Sequence, residues 1–208
     1  MSVYRRKKGQ VARSPGFYKD DRRIPIACDD TYAPAQYFNA FKLPRVKVIV
    51  LPARDTKSAA KHALANLLES EEAYDERWLL LDVDHYADGQ HVKSFIEAIQ
   101  AAQQKGIRLA LSLPCFEVWL LLHHADESRL ESLTDCNSVI AALRVELGEY
   151  SKNKLRPEHF PLLKVRDAMS RSRRLDQDDS LIPITNSTRV HRLWESITKT
   201  MDSWHLNS

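Results

Sequence analysis

Cysteine is sparse in this 208-residue chain, where Cys28, Cys115 and Cys136 are its three. An odd count with no CxxC pair suggests neither a disulfide framework nor a structural zinc site. Cys28 and Cys115 are therefore expected to act as small apolar residues at strand ends. No apolar run reaches the roughly 18 residues needed to cross a bilayer, and the basic N-terminus is not followed by a signal-type apolar segment. A membrane partner is not expected, and the expected location is cytoplasmic. The chain also lacks internal repeats and any large charge imbalance, its net charge being +3.

That small charge is unevenly placed. From Lys152 to Arg174 eight Lys or Arg stand against two acids, and Arg5, Arg6, Lys7 and Lys8 form a second basic block. Clustered cations suit a polyanionic partner such as nucleic acid, although a solvated helix face with a basic tail has the same composition. The candidate phosphate contacts are Lys152, Lys154, Arg156, Arg171, Arg173 and Arg174.

The stretch around which the rest is arranged is Arg77-Trp78-Leu79-Leu80-Leu81-Asp82-Val83-Asp84-His85. Its apolar part has no polar alternation, which predicts a strand buried on both faces in a parallel sheet. Alternate residues of a strand share a face, so Asp82 and Asp84 point the same way from its carboxyl end, a geometry suited to a divalent metal. Asp is also common in turns and helix caps, the plainer reading of the pair. A second strand, Ile107 to Ser112, stops at Pro114 and brings Glu117, at the head of a helix, to the same rim.

In chain order, residues 1–22 read as a flexible basic arm. A short strand over Ile24 to Cys28 leads to Asp29-Asp30, then a helix over Ala35 to Phe41 and a strand over Val46 to Leu51. A helix capped by Asp55 or Thr56 is expected to run to Glu72, and another from Gln90 to Gln104. Strands alternating with helices of this length make βαβ units with right-handed crossovers. Beyond Pro114 the pattern is helical, over about 116–124, 136–148, 158–174 and 187–203.

With these residues in place the chain resembles the RloB-like family, Toprim-fold proteins found near restriction and phage-defence genes. The resemblance covers nearly the whole chain. It rests on Cys28-Asp29-Asp30 with Tyr37-Phe38, on Asp82-Val83-Asp84, and on Ser112-Leu-Pro-Cys-Phe-Glu-Val-Trp-Leu-Leu-Leu-His-His124. Tyr150-Ser-Lys152 and Asn186-Ser-Thr188-Arg-Val190 are weaker parts of it. The resemblance implies an α/β, Toprim-like parallel sheet of about four strands flanked by helices. That core is expected over 23–125, with a helical region over 126–208 packed on it.

The resemblance also implies that a carboxylate after the first strand joins the DxD in binding Mg²⁺ or Mn²⁺, so Asp29, Asp82 and Asp84 are the expected metal ligands. The catalytic set is these three with Glu117 and Lys152. Where such proteins have Glu-Gly after the first strand this sequence has Asp29-Asp30, one methylene shorter and without the freely turning backbone of glycine. The implied activity is metal-dependent hydrolysis of phosphodiester bonds in DNA or RNA, in bacterial anti-phage defence, with an ATPase as possible partner. The alternative is a scaffold with a degraded acidic site that binds nucleic acid or the ATPase without cutting.

Overall fold

The computed structural model describes residues 21–30, 32–51, 60–69, 73–86, 90–177, 180–199 and 201. The basic block at residues 5–8 and the expected caps Asp55 and Thr56 lie outside these. In chain order the elements are β1 (Arg22–Cys28), α1 (Ala33–Asn39), β2 (Val46–Leu51), α2 (Ala60–Leu68), β3 (Trp78–Asp82) and α3 (Gln90–Gln104). Then follow β4 (Arg108–Leu113), α4 (Glu117–Leu121), α5 (Cys136–Leu147), α6 (Leu162–Leu175), β5 (Ser187–Thr188) and α7 (Val190–Thr198). Short 3₁₀ turns occupy Asp84–Tyr86, Glu127–Ser132 and Pro157–His159.

All five residues of β3 are buried, as an unbroken apolar run requires of a strand covered on both faces. The sheet order is β2-β1-β3-β4-β5. β1 pairs in parallel with β2 and β3, and β3 with β4, while β5 runs antiparallel to β4. The chain leaves β1 for β2 on one side and returns to β3 on the other, so the carboxyl ends of β1 and β3 flank a switch point. In open α/β sheets that is where the ligand crevice forms.

Alternation then assigns the two faces. Ile24, Ile26, Cys28, Trp78 and Leu80 pack with α1 and α4 to α7, in a core that includes Trp119 and Trp194. Ala27, Leu79, Leu81 and Leu111 pack with α2 and α3 on the other face. Asp82, two residues beyond Leu80, therefore faces α4 and the C-terminal helices.

β2 and α3 have the expected bounds, whereas β5 was not expected. Two residues are too few for any period to register, and β5 exists because Ser112 Oγ and Thr188 Oγ1 lie 2.8 Å apart and Arg189 N donates to Leu111 O at 2.8 Å. That pairing delays α7 to Val190.

The expectation for Cys115 is overturned, since it is joined to Cys136 by a disulfide with its Cα atoms 5.7 Å apart. The pairing comes from α5 packing its first turn against the β4–α4 connection, a contact that a spacing of 21 residues does not reveal. The same turn is fixed by Asp135, whose carboxylate accepts from Ser138 N at 2.7 Å while Ser138 Oγ accepts from Asp135 N at 3.1 Å. Cys28 is a buried free thiol, as expected.

Candidate acidic site at the carboxyl edge of the sheet

Asp29 follows β1 immediately, and its carboxylate is turned toward backbone donors. Oδ1 accepts from Asp30 N at 3.0 Å and Oδ2 from Asp82 N at 3.1 Å, with Tyr86 Oη donating to Oδ2 at 3.4 Å. Asp29 thus fixes the end of β3 as well as carrying charge. Asp82 ends β3, fully buried, and its Oδ1 accepts from Phe116 N at 2.8 Å. Its other oxygen, Oδ2, is buried with no hydrogen-bond partner among the described residues. Burial first, then the charges of Asp29 and Glu117, push the Asp82 carboxyl well above its ordinary range, with Lys152 opposing them.

Glu117 opens α4 and is fully buried. Its Oε1 accepts from Tyr150 Oη at 2.9 Å and lies 3.2 Å from Lys152 Nζ. The same ammonium is 3.6 Å from Asp30 Oδ2. Burial alone would lower the Lys152 pKa, but the charges of Glu117, Asp30 and Asp82 outweigh it and raise it. Burial and the Glu117 charge together raise the Tyr150 hydroxyl far out of its range, so it keeps its proton and donates a hydrogen bond to Glu117.

Asp84 begins the 3₁₀ turn after β3, half-buried, with its N–H donating to Pro114 O at 3.3 Å. The side chain of His85 lies outside the described residues. Asp84, Asp30 and Lys152 are the half-buried members of the rim. Tyr150 and Tyr86 were missed as functional residues. The signal for Tyr150 was its place two before Lys152, and nothing in sequence marked Tyr86 as the partner of Asp29.

The donor set of Asp29, Asp82 and Asp84 is hard oxygen, and the buried Asp82 Oδ2 without a hydrogen bond is an atom that a divalent cation would satisfy. Among the described residues, the triad whose ligating atoms all lie within 4.8 Å is a different one, Cys115, Glu117 and Cys136.

The basic segment divides. Lys152 joins the acids, whereas Lys154 and Arg156 line a small cavity of about 120 Å³ beside Tyr150 and His159. Arg156 pairs with Glu149. On α6, Arg171 bonds Asp126 at 3.0 Å, Arg173 bonds Glu195 at 2.7 Å and Arg174 bonds Glu127. A separate cleft of about 880 Å³ lies at the amino end of β4, lined by Trp78, Arg108, Arg173, Arg192 and Lys199, and holds none of the expected acids.

The fold and the rim define an α/β protein whose parallel sheet carries buried acids and a bridging lysine at its switch point. Residues 24–197 match the model of the family described as RloB-like protein, and the chain belongs to that family. No curated protein and no solved structure matches it. No described helix is long and apolar enough to cross a membrane.

Proposed function

We propose that this chain is a Toprim-type, Mg²⁺- or Mn²⁺-dependent endonuclease that hydrolyses phosphodiester bonds of DNA or RNA in bacterial defence against phage. The observation that carries the reading is Asp82, a buried carboxylate with one oxygen that has no hydrogen-bond partner among the described residues, set among Asp29, Glu117 and Asp30 at the switch point. Asp82, Asp84 and Asp29 would hold the cation. When bound, such an ion supplies Lewis acidity at a phosphate oxygen and a nucleophile at neutral pH.

The side chains divide the remaining work. Phe116 N–H holds one Asp82 oxygen in place and leaves the other available. Lys152 supplies positive charge against phosphate, and Tyr150 holds Glu117 through Oε1 so that Glu117 can orient a water. Lys154 and Arg156, with Arg171, Arg173 and Arg174 further off, would contact the backbone of the nucleic acid through its charge, giving affinity without base preference.

A second reading is favoured by one observation. The Asp29 carboxylate already accepts from Asp30 N, Asp82 N and Tyr86 Oη, which suits a structural tie better than an ion ligand. On that reading the chain is a scaffold binding nucleic acid or a partner ATPase. Incubation with tRNA, single-stranded DNA and duplex DNA under Mg²⁺ or Mn²⁺ separates the two. The nuclease reading expects cleavage that Asp82→Asn abolishes, whereas the scaffold reading expects binding with no cleavage by either protein.

A further inference from the structure

The disulfide stands beside a carboxylate. Cys136 Sγ lies 3.7 Å from Glu117 Oε2, and the two sulfurs and a Glu117 oxygen are all within 4.8 Å of one another. Oε1 of the same carboxylate is engaged by Tyr150 and Lys152, which leaves Oε2 as the oxygen directed at the sulfurs. Cys115 and Glu117 are fully buried and Cys136 is half-buried at the first position of α5. A medium that reduces the bond would leave two thiols and a carboxylate converging on one point.

We propose that Cys115, Cys136 and Glu117 form a redox-gated site for a thiophilic divalent cation of the Zn²⁺ class, closed by the disulfide and opened by its reduction. A phosphine supplies two electrons to the S–S bond and water supplies the two protons and the oxygen, giving two thiols and the phosphine oxide; a dithiol reductant supplies both electrons and protons and becomes a disulfide. Metal binding then releases the two thiol protons. Tetrahedral zinc–thiolate geometry sets the sulfurs about 3.8 Å apart, within the 4.8 Å over which the three ligating atoms already gather.

Charge and ligand type both fit. Two thiolates and Glu117 bring three negative charges, which the dication and the Lys152 ammonium, 3.2 Å from Glu117 Oε1, cancel. Tyr150 and Lys152 on Oε1 orient the ligating carboxylate from behind, as partners of metal ligands do. The α5 N-terminus, fixed by Asp135 and Ser138, favours the thiolate of Cys136. Sulfur ligands select Zn²⁺ over Mg²⁺ and Mn²⁺, which separates this site from the oxygen rim in chemistry even though Glu117 belongs to both.

The test uses the full-length protein, oxidised or reduced with a phosphine that leaves no competing thiol, and titrated with Co²⁺ as the spectroscopic stand-in for Zn²⁺. The reduced protein should take up one equivalent more than the oxidised protein and develop a sulfur-to-cobalt charge-transfer band that Zn²⁺ erases, and the oxidised protein should develop no such band. Cys136→Ser should lose the band while Cys28→Ser keeps it. Independently of any variant, Zn²⁺ should protect the reduced wild-type thiols from alkylation, where Mg²⁺ should not. Equal Co²⁺ spectra for oxidised and reduced protein, or alkylation unaffected by Zn²⁺, would overturn the site. None of these readings involves cleavage of nucleic acid, so they stand whatever the nuclease assay returns.

Discussion

Asp82 is held at a cost. Its folded-state pKa is raised, so ionisation is easier in the unfolded chain, and the stability it gives at low pH is lost as pH rises above the ordinary carboxylate value of 3.8. Asp82→Asn keeps the acceptor for Phe116 N–H and removes the charge. Without divalent cations this variant should melt roughly 2–8 °C above wild type at neutral pH, the response of a chain this size to about 1–2 kcal/mol. The advantage should vanish near pH 4, and Mn²⁺ should stabilise wild type only. Calorimetry across pH checks all three.

His123 behaves in the opposite sense. Burial lowers its pKa to about 3, and its ring lies 3.0 Å from Tyr37 Oη and 2.9 Å from Trp119 O, each through one nitrogen. Neutral in the fold but basic when unfolded, it costs stability as pH falls from its ordinary 6.5 toward 3. His123→Gln should flatten that acid dependence by one proton's slope, about 1.4 kcal/mol per pH unit, in urea unfolding at pH 7 and pH 5.

Among the elements, the join of α6, β5 and α7 depends on Asp176. Its side chain is buried within a half-buried residue, accepts from Arg189 Nε at 3.0 Å and Arg192 Nε at 2.7 Å, and has His191 Nε2 at 3.6 Å. Asp176→Ala removes the carboxylate shared by Arg189, Arg192 and His191 and should cost about 1–3 kcal/mol in chemical denaturation. Arg192→Ala, whose side chain is exposed, should cost less than about 1 kcal/mol.

What could be read from sequence follows the same division. The βαβ series was legible because β3 is continuously apolar and α3 carries a clean helical stripe, and both signals are local. The placing of Asp82 and Glu117 on one rim was legible because strand ends and a proline stop fix it. β5, the Cys115–Cys136 bond and the Tyr150–Glu117 contact were not, because each depends on how α5, α6 and α7 dock on the sheet. No period or spacing records that docking. The arginines of α6 show the same limit, since composition gave a basic patch whereas docking supplied acidic partners from other elements.

Across the whole molecule, clustered cations make nucleic-acid affinity depend on salt. If nucleic acid contacts the cavity beside Tyr150, replacing Lys154 and Arg156 together by Ser should weaken duplex binding. The slope of log affinity against log salt should become shallower by about 0.9 for each phosphate no longer neutralised. Arg156, Arg173 and Arg174 each already have an acidic partner, so replacing Arg173 and Arg174 together should change the slope less than replacing Lys154; filter binding from low to moderate salt distinguishes them. The central claim is that the carboxyl edge of β1 and β3 holds a hard divalent cation through Asp82, and its most direct measurement is Mn²⁺ binding followed by electron paramagnetic resonance. The account predicts that wild type depletes the signal of free Mn²⁺ and that Asp82→Asn, folded by circular dichroism, does not. Equal depletion by both proteins would contradict it.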